Sequence, residues 1–185
     1  MKGLIKGVLV LGVLAFLVAY FATPILTVNA IVATAKAGDE AALERLVDFP
    51  VFRDSVKDEL TARLMAEANA DPDVRSSGLG GLGMMLAPML VSGAVDALVT
   101  APTIAAMVRT AETPDPEDVA RARAPEPEGQ DKDIRQSYGY RDLNTFVLTL
   151  TDPDQPQQPL KLLLKRQGLF GWKLSGIDLP EKPAA

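Results

Sequence analysis

Cysteine and histidine are both absent from the 185 residues. Without cysteine there is no disulfide, no thiolate nucleophile and no site for lipoprotein acylation. Zinc sites of the usual Cys/His type are excluded, and so is every mechanism that moves a proton through imidazole. A hydrolase built on this chain would be restricted to carboxylates, a Ser–Lys pair or a carboxylate-bound metal. Ser92 has no lysine close in sequence, and Asp115, Glu117 and Asp118 lack the ligand order of a calcium loop. No catalytic residue, cofactor or metal site is therefore expected.

A surplus of positive charge is also missing. There are 24 acidic and 19 basic residues, a net charge of −5. Setting aside Lys2 and Lys6 leaves 17 basic against 24 acidic, or −7 for the rest. Phosphate backbones are gripped by clustered Lys and Arg, so nucleic acid is not an expected partner. The overall charge also disfavours peripheral attachment to anionic lipid.

What the chain has in quantity is apolar sequence. Gly7 to Ala35 holds no charged residue, and about 20 apolar residues are enough for a helix to span the hydrocarbon layer. Lys2 and Lys6 precede the run, which predicts a cytoplasmic N-terminus and a body on the far side. Residues 4–23 are thus expected to be a membrane anchor in the inner (plasma) membrane, with the main domain periplasmic. The same pattern describes a signal peptide, and Ala33-Thr34-Ala35 matches a small-x-small cleavage site that would leave a periplasmic product.

After the anchor, residues 24–112 read as helical. Val28, Ile31, Val32 and Ala35 share one face of a helix. Gly38 and Asp39 then suit a helix stop and the N-cap of a following helix, making a helical hairpin. Pro50 suits a first turn, where its missing N–H costs nothing. Phe52, Val56, Leu60, Leu64 and Ala68 follow at intervals of four, one apolar stripe. Asp48, Arg53 and Lys57 near its start are expected to cap and pair rather than catalyse.

Gly78 to Val95, GLGGLGMMLAPMLVSGAV, is a second charge-free stretch. Its five glycines and Pro88 weaken it as a helix, and it is short for a second span. A core or partly exposed apolar element is expected instead. Residues 113–136 form an acidic, proline-rich linker, whose composition cannot bury enough apolar surface to offset the entropy of ordering.

The last third changes to a period of two. Phe146, Leu148 and Leu150 alternate with Val147, Thr149 and Thr151, and Leu160, Leu162 and Leu164 form a second inward set. Trp172, Leu174, Ile177 and Leu179 change phase midway, and one extra residue at Ser175-Gly176 would restore a common face. A β-bulge is predicted there. Residues 137–180 thus read as an antiparallel meander of three to four strands with one apolar face for the helices to cover, followed by a tail at 181–185. Tyr138, Tyr140, Arg141 and Asp142 are read as lying ahead of the first strand, with the tyrosines half-buried against the sheet. The fold class is α+β, an N-terminal transmembrane helix followed by several helices packed on the C-terminal meander.

GDEAALERLVDFPVFRDSVKDEL, DALVT, YGYRDLNTFVL and GLFGWKLSGIDLP together resemble an uncharacterised bacterial family, the domain of unknown function DUF2939. The resemblance runs from about Pro24 to Pro180, interrupted by the acidic insert. It implies a single-anchor protein with a domain outside the cytoplasm and no catalytic residues to carry over. The order of elements is also similar to the cone-shaped nuclear-transport-factor-like and cystatin-like folds, an analogy of fold that licenses no function.

The functional expectation is a membrane-anchored, extracytoplasmic, non-catalytic binding or protein-interaction module. A structural subunit of an envelope complex and a carboxylate-dependent hydrolase are the alternatives. The candidate surface for an apolar ligand or an envelope protein partner combines Met84, Met85, Met89 and Leu90 with Tyr138 and Tyr140, because methionine adapts to varied apolar shapes.

Overall fold

The computed structural model describes residues 2–70, 78–111 and 133–179, without the side chains of 2–4, 67 and 78–87. Most of the acidic linker, including Asp115, Glu117 and Asp118, and the 181–185 tail lie outside the described residues.

The charge-free N-terminal run and the helical face that follows it form one helix, α1 (Lys2–Ala37), of 36 residues. From Ile5 to Ala19 every side chain is exposed, whereas Pro24, Val28, Ile31 and Ala35 are buried at intervals of three and four. One helix thus supplies a bare apolar rod and then a strut of the folded head. Pro24 does not break it, because the hydroxyl of Thr23 donates to the Tyr20 carbonyl (3.1 Å), the acceptor that proline leaves without its helical donor.

α1 ends at Gly38, whose φ of +68° suits glycine. Asp39 then caps α2 (Glu40–Leu46) by accepting from the Ala42 N–H at 2.9 Å. The predicted helical hairpin is present. α3 (Phe49–Ala70) buries Phe52, Val56 and Leu60 from its four-residue stripe, with Leu64 partly buried.

The glycine-rich run is helical. α4 (Gly78–Leu98) continues through Pro88 and packs against α3, and the Lys57–Asp96 ion pair (2.7 Å) ties the two helices together. Helix propensity pointed against this. Tertiary contact through Val91 and Val95, both buried, overrides it. α5 (Ala101–Thr110) follows almost wholly buried and stops at Ala111 in a left-handed conformation.

The sheet has four strands in the order β1-β2-β3-β4: β1 (Arg135–Asp142), β2 (Thr145–Thr151), β3 (Leu160–Gln167) and β4 (Gly171–Asp178). All neighbours are antiparallel. Tyr138, Tyr140, Arg141 and Asp142, expected ahead of the first strand, lie within β1. All eight residues of that strand are exposed, so it carries no burial alternation; its pairing with β2, Tyr138 opposite Leu148 and Tyr140 opposite Phe146, makes it a strand. The predicted bulge is present, since Leu163 faces Gly176 and Leu164 faces Leu174, which leaves Ser175 as the extra residue.

The free edge of β4 is covered. Asp48 N–H donates to the Leu174 carbonyl (2.8 Å), Ile177 N–H to the Ser55 hydroxyl (3.2 Å) and Leu179 N–H to the Glu59 carboxylate (3.1 Å). Helix α3 therefore occupies an edge that would otherwise invite a further strand. One continuous core joins α1, α2, α3, α4 and α5 to the inner face of the sheet.

Candidate functional site

The antiparallel order puts the β1–β2 and β3–β4 turns at one end of the sheet, and α1 crosses that end with residues 16–23. The contacts are aromatic and specific. Phe16 meets Phe170 edge-on (5.6 Å between ring centres), and Phe21 meets Tyr140 likewise (5.7 Å). The Tyr140 hydroxyl donates to the Phe21 carbonyl at 3.1 Å, and the Trp172 indole N–H donates to the Thr23 hydroxyl at 3.1 Å.

Arg166 binds this end together. It has the same parity as Leu160, Leu162 and Leu164, and its guanidinium lies 3.8 Å from the Tyr20 ring centre and 4.3 Å from that of Trp172. Its Nε donates to the Leu143 carbonyl (3.0 Å) and its Nη1 to the Leu169 carbonyl (2.8 Å). One cation thus holds the apex of both turns and α1. Its Nη2 is buried and has no protein acceptor among the described residues. Between the turns is an open cleft of about 510 Å³, lined by Asn144, Thr145, Lys165, Arg166 and Gly168.

The surrounding surface is apolar at the apices and basic just above them. Leu143, Leu169 and Phe170 are 63, 62 and 43% exposed. Lys165 and Lys173 face each other across β3 and β4 with no acidic partner among the described residues. Asp142 accepts the Asn144 N–H at 2.8 Å, and this bond, with a further one from the Thr145 side chain, holds its carboxyl below the usual carboxylate range.

The residues singled out in sequence fall into two separate places. Tyr138 and Tyr140 stand on β1 against Phe146, with Tyr140 drawn into the contact with α1. Met89 and Leu90 lie on α4 at 74 and 69% exposure, and α4 packs on α3 beside β4, the opposite edge of the sheet. The side chains of Met84 and Met85 lie outside the described residues. Asp48, Arg53 and Lys57 do not converge on a common point: the backbone of Asp48 reaches β4, Arg53 donates to the Val99 carbonyl (3.0 Å) and Lys57 pairs with Asp96. Trp172 is 4% exposed, a core residue as expected, with its N–H in use.

Sequence reasoning passed over Arg166, Tyr20 and the turn apices. One signal was available: in LKLLLKRQ the arginine takes the position that continues the inward leucines, where a cation requires partners.

The sequence profile of DUF2939, a protein of unknown function, matches residues 13–107, just over half of the chain. The chain belongs to the DUF2939 family. The matched stretch starts within the exposed part of α1 and ends in α5, so the sheet, where two of the four resembling motifs lie, is beyond it. No curated protein and no solved structure matches this DUF2939 protein. Among the described residues α1 alone is an unbroken helix long and apolar enough to cross a membrane, over Ile5–Ala37, as a signal anchor or a signal sequence would be.

Proposed function

We propose that this protein is a single-pass inner-membrane protein with its N-terminus in the cytoplasm and its head in the periplasm, where it serves as a non-catalytic interaction module. Retention of α1 is supported by the burial of Val28, Ile31 and Ala35 in the core of the head. Cleavage after Ala35 would remove all three.

The observation that carries the interaction reading is the exposed side of α4. Val91 and Val95 are buried, while Met89 and Leu90 stand in solvent within a run without charge. Two neighbouring large apolar side chains left exposed beside a buried face support a contact site. The occupant is an apolar ligand or an envelope protein. The Asp142 carboxylate is shifted toward the ionised form by a turn hydrogen bond. That is the opposite of the raised value a general acid needs.

The test is site-specific photocrosslinking from Met89 and Leu90 in intact cells, with recovery of the full chain and mass determination of its N-terminus. The expected result is an intact N-terminal segment and an adduct from α4 that is missing when the crosslinker is placed at Gln157. A mature product starting near Lys36 overturns the anchor. An α4 without any adduct, protein or lipid-like, overturns the interaction module.

A further inference from the structure

We propose that the head is docked on the membrane from which α1 emerges, with the β1–β2 and β3–β4 turns embedded in the leaflet and a phospholipid phosphate held in the cleft between them. The inference rests on the retained-anchor reading above.

Depth is the first argument. A span of about 20 residues reaches from Leu4 to Thr23. Phe16 lies seven residues inside that limit, about 10 Å along the helix axis at 1.5 Å per residue. The contact between Phe16 and Phe170 therefore carries the β3–β4 turn below the edge of the span. Leu169 and Phe170 extend there exposed, and Leu143 is brought to the same end by the shared bond to Arg166. Apolar side chains of interfacial segments reach about 5–10 Å into the boundary between headgroups and acyl chains. Tyr20 and Tyr140, above them, are amphipathic aromatics of the kind found at headgroup level, with Trp172 buried beneath Tyr140.

Charge is the second argument. The chain is acidic overall, but this end is not. Arg141, Lys165, Arg166 and Lys173 stand against Asp142 and Asp178, four positive and two negative, a local balance of +2. Lysines directly opposite on adjacent strands repel unless an anion lies between or beside them. The cleft offers the Lys165 ammonium, which has no acidic partner among the described residues, and the side-chain amide of Asn144. These are donors suited to a phosphodiester. The rigid hydrogen bonds from Trp172 and Tyr140 to α1 then fix the tilt of the head relative to the bilayer.

The chain has no native cysteine, so single cysteines can be introduced and labelled cleanly. Full-length L143C, L169C and Q157C variants are labelled with an environment-sensitive fluorophore and reconstituted into phosphatidylglycerol–phosphatidylcholine vesicles. Lipids spin-labelled near the glycerol end of the acyl chain act as quenchers. Labels at Leu143 and Leu169 are expected to shift to the blue and lose emission, while the label at Gln157, on the opposite turn, keeps it. The added exposed substitution Lys165→Glu should lessen quenching at Leu169 in phospholipid vesicles and leave it unchanged in vesicles of uncharged galactolipid.

Alkaline extraction separates the two levels. Release of the protein from vesicles overturns the anchor. Retention with Leu169 quenched no more than Gln157 overturns docking and leaves the anchor standing. Quenching at both turns that Lys165→Glu does not alter in phospholipid overturns the phosphate site.

Discussion

The Trp172 indole N–H donates to the hydroxyl of Thr23, which itself donates to the Tyr20 carbonyl left open by Pro24. A helix interruption is thus converted into the joint between the sheet and α1. Trp172→Phe removes the donor and leaves a small cavity at a buried position, so it should cost about 2 kcal/mol, more than the usual net value of one hydrogen bond. Thr23→Val should cost about 1 kcal/mol, and the double variant should cost less than the sum. Chemical denaturation of the detergent-solubilised protein measures all three.

Gly176 is packed where no larger residue fits. A Cβ there would lie 2.4 Å from the Ser55 hydroxyl oxygen and 3.0 Å from its Cβ. Ser55 cannot withdraw freely, since its hydroxyl accepts the Ile177 N–H at the free edge of β4. Gly176→Ala should destabilise by about 1–3 kcal/mol, the range for overpacking. Combining it with Ser55→Ala relieves the closest clash, so the pair should be less than additive in thermal unfolding.

Residues before Lys36 belong to the fold. A chain starting at Thr23 retains Val28, Ile31 and Ala35 and should fold as a soluble head. A chain starting at Lys36 lacks all three. Each of the two larger side chains contributes about 1.5–3 kcal/mol on burial, a large part of a typical stability of about 5–15 kcal/mol. The shorter chain should show no cooperative unfolding transition by circular dichroism.

Asp142 sets the acid behaviour of the β1–β2 turn. Its folded-state acidity is strengthened chiefly by the Asn144 N–H. The stabilisation is therefore fully present above the ordinary carboxylate range and is lost as pH falls through the lower folded value. The turn should be indifferent to pH between neutrality and the ordinary range and loosen only below it. Asp142→Asn should remove that acid dependence, as followed by the amide NMR signal of Asn144.

Met89→Asp separates folding from binding. Met89 is mostly exposed, so stability should change by no more than about 0.5 kcal/mol, as at ordinary surface positions. Crosslinking from Leu90 should fall sharply. Val95→Asp, six residues further along α4 and buried, should instead unfold the head, because it leaves a charge unpaired in the core.

The local sequence settled a good deal about this protein. The charge-free N-terminal run, the Gly38-Asp39 punctuation and the Phe52-Val56-Leu60 stripe are periodic or positional signals that backbone geometry turns directly into helices. The phase change between Leu174 and Ile177 implied one additional residue, and Ser175 is that residue, because a period of two tolerates no other repair. Other features were decided only when distant segments met. RQSYGYRD has no buried face, and β1 exists because β2 supplies hydrogen-bond partners along its length. Glycine and proline content argued against a helix at 78–98, and packing on α3 outweighed that cost. The joint of Arg166, Trp172 and Tyr140 with Tyr20, Phe21 and Thr23 joins residues more than a hundred positions apart. Apolar periodicity depends on neighbours within a few residues, whereas the partner of a cation or an indole N–H is chosen by whichever surface the completed fold brings against it.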